Sequence, residues 1–201
     1  MNKKSLYTVE DADNLNIDEV VELYKNYINP NQSQIFSNLP YGKDLIKSAK
    51  GVYIYTNNGK KILDFTGGLG VLGLGHNHQK ILDARINFQQ QNKMEVHKIV
   101  FSNYMGALAK NIATLLPTNL NKSFFLNSGA EAVEAAIKVC FKSYNSKKKN
   151  ILFSNKSYHG KLIGSGSVSG SYVKNNQFPT MENCVSFNFN DPVDLEKKIL
   201  N

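Results

Sequence analysis

Between residues 123 and 153 the chain alternates in a way that few folds can accommodate. Ser123-Phe-Phe-Leu126 and Asn150-Ile-Leu-Phe153 are short apolar runs. The stretch between them, residues 129–144, carries apolar side chains at positions 133, 136, 137, 140, 141 and 144. That spacing is one face of a helix, and the runs on either side have the length of buried strands. Strand, helix of this length and strand again is the crossover that parallel pairing requires. Cys184-Val-Ser-Phe187 repeats the strand pattern, and Asp191-Pro192 opens a last helix that runs toward Asn201. The expectation is an α/β domain with a mainly parallel, covered sheet. With only two or three strands legible, such a sheet keeps an open edge.

Ser128 lies where the first strand hands over to the helix, and Glu131 follows at the capping-box spacing. One reading is purely structural: Ser128 caps the helix and Glu131 reaches back, stabilising it by about 1 kcal/mol. The other uses the same geometry for binding. Open N–H groups at residues 129–131, together with the helix dipole, receive an anion such as a phosphate. Gly129 leaves room for a close approach, and ligands of open α/β sheets gather at the carboxyl ends of strands.

The N-terminal third is organised differently. Apolar residues at 17, 20, 21, 24, 27 and 28 form a helical stripe that starts on Asp18-Glu19 and closes at Asn29-Pro30. Residues 31–48 show no regular pattern. Gly51-Val-Tyr-Ile-Tyr-Thr56 and Lys61-Ile-Leu-Asp-Phe65 flank Asn57-Asn58-Gly59, a β-hairpin signature. Glycines 67, 68, 70, 73 and 75 alternate with Leu and Val. Helices are expected from about His78 to Gln91 and from about Tyr104 to Leu116, the second stopped by Pro117. Residues 1–65 therefore read as one lobe and 66–201 as the start of an α/β domain.

The charge balance is +8 with a pI near 9.3, which raises the question of nucleic acid. Arg85 is the only arginine, however, and guanidinium forks do most base and phosphate reading. Lys147-Lys148-Lys149 reads as a solvated loop. No nucleic-acid partner is expected; an anionic small molecule suits the same field. No apolar run has the length of a membrane span. Met1-Asn2-Lys3-Lys4-Ser5 leads into Asp11, Asp13, Asp18 and Glu19 rather than into an apolar stretch, so no signal peptide is expected. Cys140 and Cys184, far apart, read as core residues of a cytoplasmic protein.

The segment Phe124-Phe-Leu-Asn-Ser-Gly-Ala-Glu-Ala-Val-Glu-Ala-Ala-Ile-Lys138 closely resembles the corresponding segment of class-III aminotransferases, enzymes of fold type I that use pyridoxal 5′-phosphate (PLP). Four further matches follow the same order along the chain. Asn26-Tyr-Ile-Asn-Pro30 is similar to the leading segment of putrescine-type members. Gly51-Val-Tyr-Ile-Tyr with Gly59-Lys-Lys-Ile-Leu-Asp-Phe65 resembles the family's hairpin. Leu74-Gly-His-Asn-His78 resembles its Gly-His loop, and Tyr158-His-Gly160 its aromatic-His-Gly motif. The resemblance implies an incomplete PLP-binding large domain preceded by the N-terminal part of the small domain. It implies that the Ser128 hydroxyl and the Gly129 and Ala130 amides hold the cofactor phosphate. Tyr158 would stack on the pyridine ring, with His159 and Gly160 shaping that turn. The implied reaction moves an amino group from an amine or ω-amino donor to a 2-oxo acid, in a homodimer. Aminomutation and decarboxylation also occur on this scaffold.

Three departures from the family pattern matter. Lys161 stands where many members carry an arginine that grips a substrate carboxylate; a lysine is a point charge rather than a fork, and its resemblance at this position to the putrescine-type branch implies a diamine or other ω-amine donor. Gln79 replaces a proline and loosens a helix start. His76 and His78 lack a third ligand, and no metal is expected. The family's pyridinium-pairing aspartate and Schiff-base lysine have no counterpart up to Asn201, and Lys138, Lys142 and Lys156 are not expected to replace the lysine. An N-terminal fragment is therefore expected, inactive alone. The alternative is a non-catalytic remnant that keeps the fold and its dimer contacts.

Overall fold

The computed structural model describes residues 6–40, 42–95, 99–117, 119–144, 150–170 and 179–200. Lys147-Lys148-Lys149 and Met1–Ser5 lie outside the described residues. The chain divides into two compact units, Met1–Lys98 and Ile99–Asn201.

In the first unit, side-chain caps decide where the helices begin. Thr8 and Asp11 cap α1 (Val9–Asp13) reciprocally, and Asn16 and Glu19 do the same for α2 (Ile17–Tyr27). The stripe on α2 meets a helix that the sequence reading missed, α3 (Pro30–Asn38), with Tyr24 and Phe36 ring centroids 6.3 Å apart. Residues 31–48 are thus not irregular throughout. Asn29 accepts hydrogen bonds from the Asn31 and Gln32 amides, and Pro30 takes the first helical position, so the pair expected only to close α2 opens α3.

The hairpin forms as expected from β2 (Tyr53–Thr56) and β3 (Lys61–Leu63), with Gly59 at φ 78° in the turn. A third strand, β1 (Ile46–Lys50), pairs antiparallel with β2. Its sequence, Ile-Lys-Ser-Ala-Lys, lacks a strand's alternation; pairing with β2 makes it one.

Behind the sheet order, Asp64 organises the glycine-rich segment. Its Oδ1 accepts from the Thr66 hydroxyl (2.6 Å), the Thr66 amide (2.8 Å) and the Gly67 amide (3.0 Å), while Oδ2 meets His76 Nε2 at 2.8 Å. Residues Gly67–Gly70 then make one irregular turn, α4, with Leu69 at φ 64°. The backbones of Gly51 and His76 exchange hydrogen bonds, and a Cβ on Gly75 would lie 2.7 Å from the Gly51 carbonyl oxygen. His76 thus has a structural occupation as partner of Asp64. Among the described residues no group of three metal-ligating side chains occurs. Helix α5 (Gln79–Gln89) follows; His78 gives it no side-chain cap, and Gln79 Nε2 instead donates to Asp83.

The Thr66 hydroxyl, with His76 and the Thr66 amide after it, holds the Asp64 carboxyl well below its ordinary 3.8. The group is depressed in the folded state, so its stabilisation is complete above pH 3.8 and is lost as the pH falls through the folded value. Thermal melts between about pH 5 and pH 2 are expected to lose midpoint more steeply for wild type than for Asp64→Asn. Parallel curves for the two proteins would contradict this role.

In the second unit, Ser102 caps α6 (Asn103–Leu115), its Oγ accepting from the Met105 amide, and Pro117 follows the helix. Residues 123–126 form no strand, contrary to expectation: no ladder pairs them among the described residues, and Phe124 is 78% exposed. Helix α7 (Gly129–Ser143) and strand β4 (Ile151–Ser154) come next, then the short α8 (Ile163–Ser167), β5 (Cys184–Phe187) and α9 (Pro192–Leu200). Strands β4 and β5 pair in parallel, Ile151 opposite Cys184 and Ser154 opposite Phe187. Cys184 is half-buried, and burial pushes its thiol upward. Cys140 is exposed and is not the core residue expected, although it shares the face of α7 that carries Val133, Ala136 and Ile137 toward β4. No helix among the described residues is long and apolar enough to cross a membrane.

Candidate functional site

The amino end of α7 is built by three residues acting within one turn. Ser128, extended at φ −147°, accepts the Glu131 amide on its Oγ at 3.2 Å. Glu131 does not return this bond to Ser128, as the capping-box spacing suggested. Its Oε2 accepts the Asn127 amide at 2.9 Å, one residue earlier. Two consequences follow. The Glu131 amide is occupied, so the open donors at this helix end are the amides of Gly129 and Ala130 rather than three. The Ser128 hydroxyl, accepting through its oxygen, keeps its proton to give away. Gly129 has an ordinary negative φ, and a Cβ there would meet no atom within 4 Å. Neither backbone nor packing needs glycine at this position, which leaves space above the turn as the physical use of the missing side chain. A phosphate fits these donors and the positive end of the helix dipole.

The second component is the turn leaving β4. Tyr158 is 65% exposed and His159 is exposed, while Gly160 is buried with φ 129°. A Cβ on Gly160 would lie 2.6 Å from Ala130 Cβ and 3.0 Å from Ala130 Cα. The aromatic-His-Gly turn therefore presses on the first turn of α7, and Ser128, Gly129, Ala130, Tyr158 and His159 belong to one neighbourhood. Lys161 stands at the exposed end of the turn and joins no ion pair among the described residues.

Three serines that sequence reasoning passed over support this turn. Ser165, Ser167 and Ser169 are buried to 0–1% exposure, yet each is hydrogen-bonded. Ser169 Oγ accepts the His159 amide at 2.8 Å, Ser165 Oγ accepts the Leu162 amide at 3.2 Å, and Ser167 Oγ donates to the Ile163 carbonyl at 2.6 Å. The sequence signal was available as alternation, Ser-Gly-Ser-Val-Ser-Gly over 165–170. Its small side chains let α8 lie close to its neighbours, with hydroxyls short enough to satisfy the backbone inside a buried loop.

Comparison with known proteins identifies the family and the fold. The profile of the family described as Aminotransferase class-III matches residues 39–199. The acetylornithine aminotransferase of Bacillus anthracis is 34% identical over 166 residues, covering 80% of this chain and 41% of that protein. Aminotransferase PigE of a Serratia species is 31% identical over 176 residues, covering 87% of this chain and 20% of that protein. The chain thus spans less than half the length of these curated relatives. Among solved structures, a transaminase from Virgibacillus superposes with TM-score 0.76 at 22% identity, over 90% of this chain and 44% of that one. The taurine:2-oxoglutarate aminotransferase of Bifidobacterium kashiwanohense, solved with PLP and glutamate, gives 0.68 at 26% identity, over 87% and 38%. The fold is that of the PLP-dependent fold type I transaminases, of which this chain covers part. The family match over residues 39–199, on a fold that leaves the Gly129 and Ala130 amides open at the start of α7, makes this chain a member of the class-III aminotransferases, whose cofactor is PLP.

Proposed function

We propose that this chain supplies the phosphate cradle and ring platform of a PLP-dependent transaminase that moves an amino group from an amine or ω-amino donor to a 2-oxo acid. The observation that supports it best is the close approach of Gly160 to Ala130, which sets the turn carrying Tyr158 against the helix end that has two open amides and a hydroxyl proton. In this reading the Ser128 hydroxyl and the Gly129 and Ala130 amides hold the phosphate. Tyr158 lies on the ring, where an aromatic face suits a flat electron-poor heterocycle. The His159 and Gly160 backbone fixes its height. When bound, the cofactor supplies the electron sink for the chemistry at the amino-bearing carbon. In the same reading residues 1–65 belong to the small domain and 66–201 to the large one, and the protein works as a cytoplasmic homodimer.

Two observations pull the donor in different directions. Relatives named acetylornithine aminotransferase favour a donor that carries an α-carboxylate. Lys161, directly after Tyr158-His159-Gly160, offers a single point charge and no bidentate grip for an α-carboxylate. We place more weight on Lys161, because it belongs to this chain. Single-turnover amino transfer to a 2-oxo acid by the full-length protein is expected to be faster with putrescine than with N-acetylornithine. The reverse order removes the diamine reading. Cofactor binding without transfer from either donor favours a non-catalytic remnant.

A further inference from the structure

Tyr158 sits in a segment, residues 155–162, that has neither helix nor strand to hold it. Ordering such a segment costs roughly 1–2 kcal/mol per residue in backbone entropy, so its height above α7 needs fixed attachments. One is the contact of Gly160 with Ala130. The other comes from Glu134. Positions 130 and 134 are one helical turn apart and share a face of α7. Glu134 Oε1 accepts the Ser165 amide at 2.7 Å, and its carboxylate lies against Gly164, where a Cβ would be 2.6 Å from Oε2.

Ser165 is in the first turn of α8, whose N-cap position is Leu162. A leucine side chain has no acceptor to offer those orphan amides. Glu134, 31 residues earlier in sequence, supplies it with a charge-assisted bond. Among the described residues Glu134 joins no ion pair, so its carboxylate is committed to this backbone. From Ser165 the chain of bonds returns to the turn: the Ser165 carbonyl accepts Ser169 Oγ at 2.8 Å, and Ser169 Oγ accepts the His159 amide.

We propose that Glu134 is a positioning residue for the cofactor: by capping α8 across the fold it sets the height of Tyr158 over a ring whose phosphate is held at Ser128–Ala130. This rests on the reading of the site given above. Because the phosphate donors are on α7 itself, loss of the Glu134 contact releases the ring platform and leaves the phosphate cradle in place.

The test uses the full chain with pyridoxamine 5′-phosphate and, separately, inorganic phosphate, both followed by fluorescence or calorimetric titration. Glu134→Ala is expected to weaken pyridoxamine phosphate about tenfold, the scale of one aromatic contact, and to change inorganic phosphate less than about twofold. Glu134→Gln keeps an acceptor and is expected to bind like wild type. The Glu134→Ala effect disappears in a Tyr158→Ala background, since both changes remove the same contact. If Glu134→Ala disturbs the helical signal, Glu134→Asp replaces it, keeping charge and helix while withdrawing the acceptor. Equal weakening of both ligands, or full additivity with Tyr158→Ala, would overturn the positioning role while leaving the site reading intact. Wild-type protein that binds neither ligand, or Ser128→Ala that binds both as well as wild type, overturns the site reading and this inference with it.

Discussion

Gly160→Ala is expected to lower the melting temperature of the protein by roughly 5–25 °C. Two independent costs combine. Gly160 has φ 129°, a conformation in which a side chain is strained by about 1–3 kcal/mol. The added Cβ would also lie 2.6 Å from Ala130 Cβ and 2.9 Å from Ser165 Oγ, inside a buried contact, for about 1–3 kcal/mol of overpacking. Thermal unfolding followed by circular dichroism measures the sum. Ala130→Gly in the same background separates the parts, because it removes the Cβ contact and leaves the φ strain. A shift below about 3 °C for Gly160→Ala would mean that the turn does not press on α7 as described.

Ser128 carries the second large effect, and here stability and binding can be divided. Ser128→Ala loses the cap to the Glu131 amide, worth about 1 kcal/mol. It also loses a hydroxyl donor to a charged phosphate, worth about 1.5–3 kcal/mol, so pyridoxamine phosphate affinity is expected to fall roughly 10–100-fold. Ser128→Gly distinguishes the two. Glycine serves as an N-cap within a few tenths of a kcal/mol, so stability is nearly kept while the affinity loss remains. Ser128→Thr restores both. Tight binding by Ser128→Gly would leave Ser128 as a helix cap and nothing more.

Both residues stood out in the sequence, for different reasons and to different depths. Ser128 followed by Glu131 marks a helix start through contacts three or four residues long, and such contacts survive any tertiary arrangement. Even so, the partner was off by one: Glu131 bonds the Asn127 amide, a choice made by backbone torsions that spacing does not encode. Gly160 was legible only by resemblance, since nothing in Tyr158-His159-Gly160 names Ala130 as the neighbour. Asn29-Pro30 shows the opposite error. The pair was read as a stop because proline ends helices, while at a first helical position it begins one. Ser123–Leu126 has strand composition but pairs with nothing among the described residues, and a strand exists only through its ladder.

Local chemistry in the sequence determined the caps of α2, α6 and α7, the Gly59 hairpin turn, and the parallel strand pattern of Ile151–Ser154 and Cys184–Phe187. These depend on side chains within four residues of one another or on a periodicity of two or 3.6, so composition and spacing suffice. Tertiary structure alone decided that β1 would join the hairpin, that Asp64 would take His76, that Gly160 would lie on Ala130, and that Glu134 would cap a helix 31 residues away. Each of those contacts must offset the entropy of closing a loop, and only packing around both partners determines whether it does.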